Sequence, residues 1–93
     1  MWLLNAFSLQ MLEEFPASVE FEEVQALPKK GLVSAVGHAD TARVLGVEFN
    51  RQSVKLQKGN VFYVAQLQGG RLPEGATSLP EGFSFRYLLG EVK

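Results

Sequence analysis

Hydrophobic and polar positions alternate along most of this chain, and the places where the alternation stops divide it into short elements. Trp2 to Phe7 is apolar and aromatic apart from Asn5, the pattern of a first strand covered on both faces and ending near Ser8. Met11-Leu12-Glu13-Glu14-Phe15-Pro16 reads as a connector stopped by proline. Val19 and Phe21 alternate with Glu20 and Glu22, which predicts a half-exposed second strand. Glu22 to Leu27 predicts one short helical turn closed by Pro28, and Lys29-Lys30-Gly31 a charged turn. Leu32 to Val36 is a buried segment leading into a Gly37-His38 step. Asp40 and Thr41 favour a helix start, Ala42-Arg43-Val44-Leu45 continues it, and Gly46 closes it. Val54 and Leu56 alternate with Lys55 and Gln57. After the tight turn Lys58-Gly59-Asn60, Val61 to Leu67 is β-branched and aromatic on both faces, so the pair predicts a hairpin of an edge strand and a central strand. Phe83, Phe85, Tyr87 and Leu89 share one face of a last strand. Between these lies Gly69 to Gly82, with four glycines and two prolines in fourteen residues, a longer loop than a plain connection needs. The predicted fold is α+β: one domain over residues 1–93, with a small mixed sheet of about five strands and short helices packed on it.

Composition sharpens this picture in three ways. At 93 residues and 46% hydrophobic the chain folds but buries only a modest core, so oligomerisation is expected. There is no run of about 18 apolar residues to span a membrane, and the start Met1-Trp2-Leu3-Leu4-Asn5 lacks the basic region of a signal peptide. With no cysteine, neither a disulfide nor a thiolate metal site is available, and the expected location is cytoplasmic. A net charge of −1 argues against a coat for long DNA or RNA. It leaves room for a small anionic ligand held by a few local arginines.

The chemistry-bearing residues are few. His38 is the only histidine and Asp40 the only aspartate. Two residues apart on a helix they would not share a face, and no paired-carboxylate or HxxxH cluster is present, so no metal site is expected. A Ser-His-Asp triad through Ser8 or Ser34 lacks the GxSxG elbow, and neither GxGxxG nor a P-loop occurs. A helix start presents free N–H groups and partial positive charge to an anion, and a histidine beside a phosphate is able to give or take a proton near neutral pH. The competing reading of His38 is a side chain that only caps or packs the helix. Arg43, Arg51, Arg71 and Arg86 supply cations. Arg71 and Glu74, three apart in the Gly/Pro loop, read by themselves as a solvated pair; the sharper reading is a phosphate clamp with its orienting partner. This set suits metal-free cleavage of a phosphodiester whose own 2′-OH is the nucleophile.

Four blocks carry a resemblance. Asn5-Ala6-Phe7-Ser8 with Met11-Leu12, then Ala35-Val36-Gly37-His38 with Asp40-Thr41-Ala42, then Asn50-Arg51, then Arg71-Leu72-Pro73-Glu74-Gly75, together resemble the viral ring nuclease family. Those proteins are anti-CRISPR enzymes acting against type III CRISPR defence. The resemblance implies a two-fold homodimer binding cyclic tetra-adenylate across its axis and cutting it, without metal or other cofactor, to linear di-adenylates. It implies His38 as general acid, with Arg71 and Glu74 near the scissile phosphate as the other catalytic residues. It places Asn5, Ser8 and Gly37 at the ligand pocket and adds Arg51. Two readings from other classes stand beside it: a protein that sequesters the cyclic nucleotide uncut, and a small virus-encoded interaction module working through the Gly/Pro loop.

Overall fold

The computed structural model describes all residues, Met1–Lys93. Its strands are β1 (Trp2–Leu4), β2 (Val19–Val24), β3 (Val33–Ala35), β4 (Val61–Gln68) and β5 (Ser84–Val92). They form one sheet in the order β2-β5-β4-β1-β3. β1 runs parallel to β3 and β4, whereas β5 runs antiparallel to β4 and β2. The mixed five-stranded sheet and the α+β class are therefore as expected. A single α-helix, α1 (Ala39–Leu45), accompanies it in place of several, with a 3₁₀ turn at Leu9–Met11. No helix is long and apolar enough to cross a membrane.

The pleat sorts the side chains into two clusters. On one face Leu4, Ala35, Phe62, Val64 and Val92 lie under Leu12, Val54 and Leu56 from the long connections. On the other, Leu3, Val36 and Ala65 receive Ala42 of α1. Phe62 is fully buried, which contributes about 1.5–3 kcal/mol on its own. Its ring stacks on Phe7 at 5.6 Å and meets Phe21 edge-on at 6.0 Å. Gly90 stands opposite Phe62 on β5. A Cβ there would lie 2.5 Å from the Phe62 ring, so glycine at 90 is what lets this ring lie flat over the neighbouring strand.

Three expected elements come out differently. The hairpin of residues 54–57 with β4 does not form, because both edges of β4 are taken, by β5 and by β1. The alternation of Val54 and Leu56 is satisfied by packing over the sheet, and their segment bonds the 11–13 connector through Leu56 N to Met11 O at 2.7 Å and Glu13 N to Leu56 O at 3.0 Å. Leu32 to Val36, expected only as a buried lead-in, supplies β3 as the fifth strand. The helical turn at 22–27 does not form: Glu22, Glu23 and Val24 continue β2 against Leu89, Leu88 and Tyr87, no helix follows, and Glu23 pairs with Arg86 at 2.7 Å. The ladder with β5 outweighs the weak local helical preference. The first strand also stops early, at Leu4, since Asn5 turns its side chain to β3's outgoing chain and Phe7 leaves to stack on Phe62.

Candidate functional site

β1 and β3 are parallel neighbours with Leu4 opposite Ala35. Their chains therefore leave the sheet side by side, which brings Asn5 and the Gly37-His38 step together across 32 residues of sequence. The Gly37 peptide is held from both sides. Its N–H donates to Asn5 Oδ1 at 3.2 Å, and its carbonyl accepts from Arg51 Nε at 3.3 Å. Arg51 is delivered by a segment laid along β3: Asn50 N–H donates to Val36 O at 3.0 Å and Asn50 Nδ2 to Ser34 O at 2.8 Å, while the Ser34 hydroxyl donates to Glu48 O. The guanidinium lies 5.9 Å from the centroid of the Phe49 ring. Gly37 is not in the left-handed region, and a Cβ there would meet Arg51 Cγ at an ordinary 3.7 Å. Neither backbone nor neighbour demands glycine at this position.

His38 is the N-cap of α1. Its backbone is extended (φ −125°, ψ 119°), and its Nδ1 accepts the Thr41 N–H at 3.3 Å. The Thr41 hydroxyl lies 3.3 Å from the same nitrogen. With Nδ1 occupied from the helix, Nε2 is the nitrogen left to an incoming ligand, and the residue is exposed. Gly46, in the left-handed conformation, closes the helix as its position predicts.

Ser8 caps the 3₁₀ turn, its Oγ accepting from Gln10 N at 3.3 Å. It lines a shallow depression of about 210 Å³ with Gln52, Ser53 and Lys55, directly after Arg51 in the chain. Asn5 lines a second groove of about 290 Å³ with Phe7, Phe21, Gln66 and Leu88. Arg71 and Glu74 sit exposed on the loop between β4 and β5 and form no ion pair with each other. That loop is anchored by buried Leu72 and by Arg43, whose Nη1 donates to Ala76 O at 3.1 Å and to Asp40 Oδ1 at 2.7 Å.

The structure thus joins Asn5, Gly37, His38 and Arg51 into one continuous cluster. Ser8 lines a depression that none of these four residues lines, and Arg71 and Glu74 ride on a loop tied to the His38-capped helix. Three further residues, Thr41, Arg43 and Asn50, build the site. Thr41 stands at the third helical position, three after the cap, which is the spacing of a capping pair. Arg43 stands three after Asp40, a helix-surface pair legible in the sequence, although its bond to Ala76 is not. Asn50 had no local signal, since its partners lie on β3. No three acidic or histidine side chains converge anywhere in the chain.

A family model described as STIV B116-like matches residues 1–83. No curated protein matches the chain. Among solved structures, B116 of Sulfolobus turreted icosahedral virus (STIV) is similar, with 25% sequence identity, 94% of this chain and 96% of that chain covered, and a TM-score of 0.70.

Proposed function

The chain belongs to the STIV B116-like family, a viral protein family, and from that premise we propose that it is a ring nuclease that binds and cleaves cyclic tetra-adenylate. By removing the second messenger of type III CRISPR defence it would silence the effectors that the messenger activates. The substrate comes from the four residue blocks that resemble the viral ring nuclease family. The observation that carries the chemistry is the aim of His38: Nδ1 is engaged by its own helix and Nε2 is open, next to a glycine whose carbonyl holds Arg51 in place.

In this reading an adenosine 2′-OH attacks the adjacent phosphorus. The 2′-OH proton passes to solvent water as the new O–P bond closes a 2′,3′-cyclic phosphate and the bond to the 5′-oxygen breaks, and His38 gives that oxygen the proton it needs. Arg71 neutralises charge on the phosphorane, Glu74 orients Arg71, and the ligand draws the 69–82 loop toward the helix. Asn5, Ser8, Gly37 and Arg51 hold the ring of the ligand. No metal is needed, because the nucleophile is internal and arginine supplies the positive charge. A ligand with four-fold symmetry contains a two-fold axis, so a homodimer presents the same residues to opposite phosphates.

Incubation with radiolabelled cyclic tetra-adenylate in EDTA tests this directly. The expected outcome is linear di-adenylates appearing through a 2′,3′-cyclic phosphate, from a species of dimeric mass. Binding without cleavage would make the protein a sequestering factor, and no interaction at all would leave the interaction-module reading. Activity that requires Mg²⁺ and yields a 5′-phosphate would overturn the mechanism.

A further inference from the structure

We propose that the Thr41 hydroxyl is the positioning group of His38, an inference that rests on the ring nuclease reading for its catalytic consequence. Thr41 is buried in the first turn of α1 at 6% exposure, and it alone bonds the His38 ring, through both its N–H and its hydroxyl at 3.3 Å. The two groups differ in what they offer. A backbone N–H only donates, so it suits the neutral ring with its hydrogen on Nε2 and opposes any ring with a hydrogen on Nδ1. A general acid passes through two such rings. The imidazolium carries N–H on both nitrogens, and once Nε2 has protonated the 5′-oxygen the neutral ring left behind keeps its hydrogen on Nδ1.

Nδ1–H therefore needs an acceptor in the very states that the reaction uses. No carboxylate supplies one: Asp40, the nearest in sequence, is engaged by Arg43 at 2.7 Å, and no other acidic group bonds the ring. Arg51, the nearby cation, is bonded to the Gly37 carbonyl. A hydroxyl both donates and accepts. By rotating about its Cβ–Oγ1 bond, Thr41 donates to Nδ1 in the resting ring and accepts from Nδ1–H in the acid form, so the ring keeps its aim through the proton transfer. The arrangement takes the place of the carboxylate that commonly orients a catalytic imidazole.

The test compares Thr41→Val, Thr41→Ala and Thr41→Ser in the full chain. Single-turnover cleavage of cyclic tetra-adenylate is measured beside equilibrium affinity for it, and the melting temperature checks folding. Thr41→Val and Thr41→Ala should lose about ten- to hundredfold in rate, the size of one hydrogen bond to a charged group, with affinity nearly unchanged. Thr41→Ser should stay close to the parent, and Thr41→Val should cost nothing further in a His38→Ala background. The second readout is ¹⁵N-histidine NMR, where His38 gives the only ring signal. In the acid form its Nδ1–H should exchange slowly in the parent and in Thr41→Ser, and rapidly in Thr41→Val. A parental cleavage rate, or an unchanged Nδ1–H signal, in folded Thr41→Val would overturn the inference. If the parent itself leaves the cyclic nucleotide intact, the ring nuclease reading fails while the NMR comparison still decides whether the hydroxyl holds the ring.

Discussion

Asn5 offers the sharpest separation of folding from ligand recognition. Its Oδ1 accepts the Gly37 N–H at 3.2 Å, while its Nδ2 bonds no protein group. Asn5→Asp keeps the acceptor, and a charged oxygen makes that bond no weaker. It replaces the free amide hydrogens with negative charge at the mouth of a site proposed for phosphates. Asn5→Ala removes the acceptor and leaves a half-buried N–H short of a partner, at a cost of about 1–3 kcal/mol. At roughly 4–8 °C per kcal/mol for a domain of this size, Asn5→Ala should melt clearly lower and Asn5→Asp should not. Binding should order them the other way. Losing a hydrogen bond to a charged phosphate costs about 1.5–3 kcal/mol. Two like unit charges about 6 Å apart add roughly 2–3 kcal/mol at an effective dielectric constant near 20. Together these predict a loss of at least about a hundredfold in affinity for Asn5→Asp, part of it recovered at high salt as screening grows. Thermal melts and calorimetric titration with cyclic tetra-adenylate measure both quantities. Parental affinity in Asn5→Asp would show that Asn5 serves the β1–β3 junction alone, and a low melting temperature in that variant would refute the assigned bond to Gly37.

Three further outcomes follow from the same geometry. His38→Ala should lose about 10²–10⁴-fold in single-turnover rate with a much smaller change in affinity, and equal losses in both would make the histidine a binding or packing residue. Arg43→Ala breaks an exposed pair worth less than about 1 kcal/mol and should leave the melting temperature nearly unchanged. It should nonetheless raise hydrogen exchange around Ala76 and slow cleavage, because the loop bearing Arg71 and Glu74 loses its tie to α1; unaltered exchange there would show that Leu72 alone anchors the loop. Gly90→Ala drives a methyl group into the Phe62 ring at 2.5 Å and should cost about 1–3 kcal/mol by overpacking, so a parental melting temperature would mean that the aromatic stack is looser than described.

What this sequence determined by itself was whatever rests on neighbours a few residues apart. His38 as the residue before the helix and Gly46 as its stop follow from capping, and α1 forms between them. The long β-branched and aromatic run of β4 marks a strand with neighbours on both sides, and the even spacing of Phe85, Tyr87 and Leu89 marks β5. Tertiary structure decided which strand each edge accepts. Residues 54–57 carry a strand pattern and Glu22 to Leu27 a helical one, yet β4 had no free edge for the first and β5 had one for the beginning of the second. The candidate site is of the same kind. Its residue types stand in the sequence, but Asn5 reaches Gly37 across 32 residues, Arg51 across 14, and Arg43 holds Ala76 across 33. Capping and periodicity are settled by backbone bonds within one turn or one pleat, whereas these contacts come from tertiary placement: parallel β1 and β3 release their chains side by side, the segment carrying Arg51 lies along β3, and α1 meets the loop between β4 and β5. No local preference in Asn5, Gly37 or Arg51 encodes that juxtaposition.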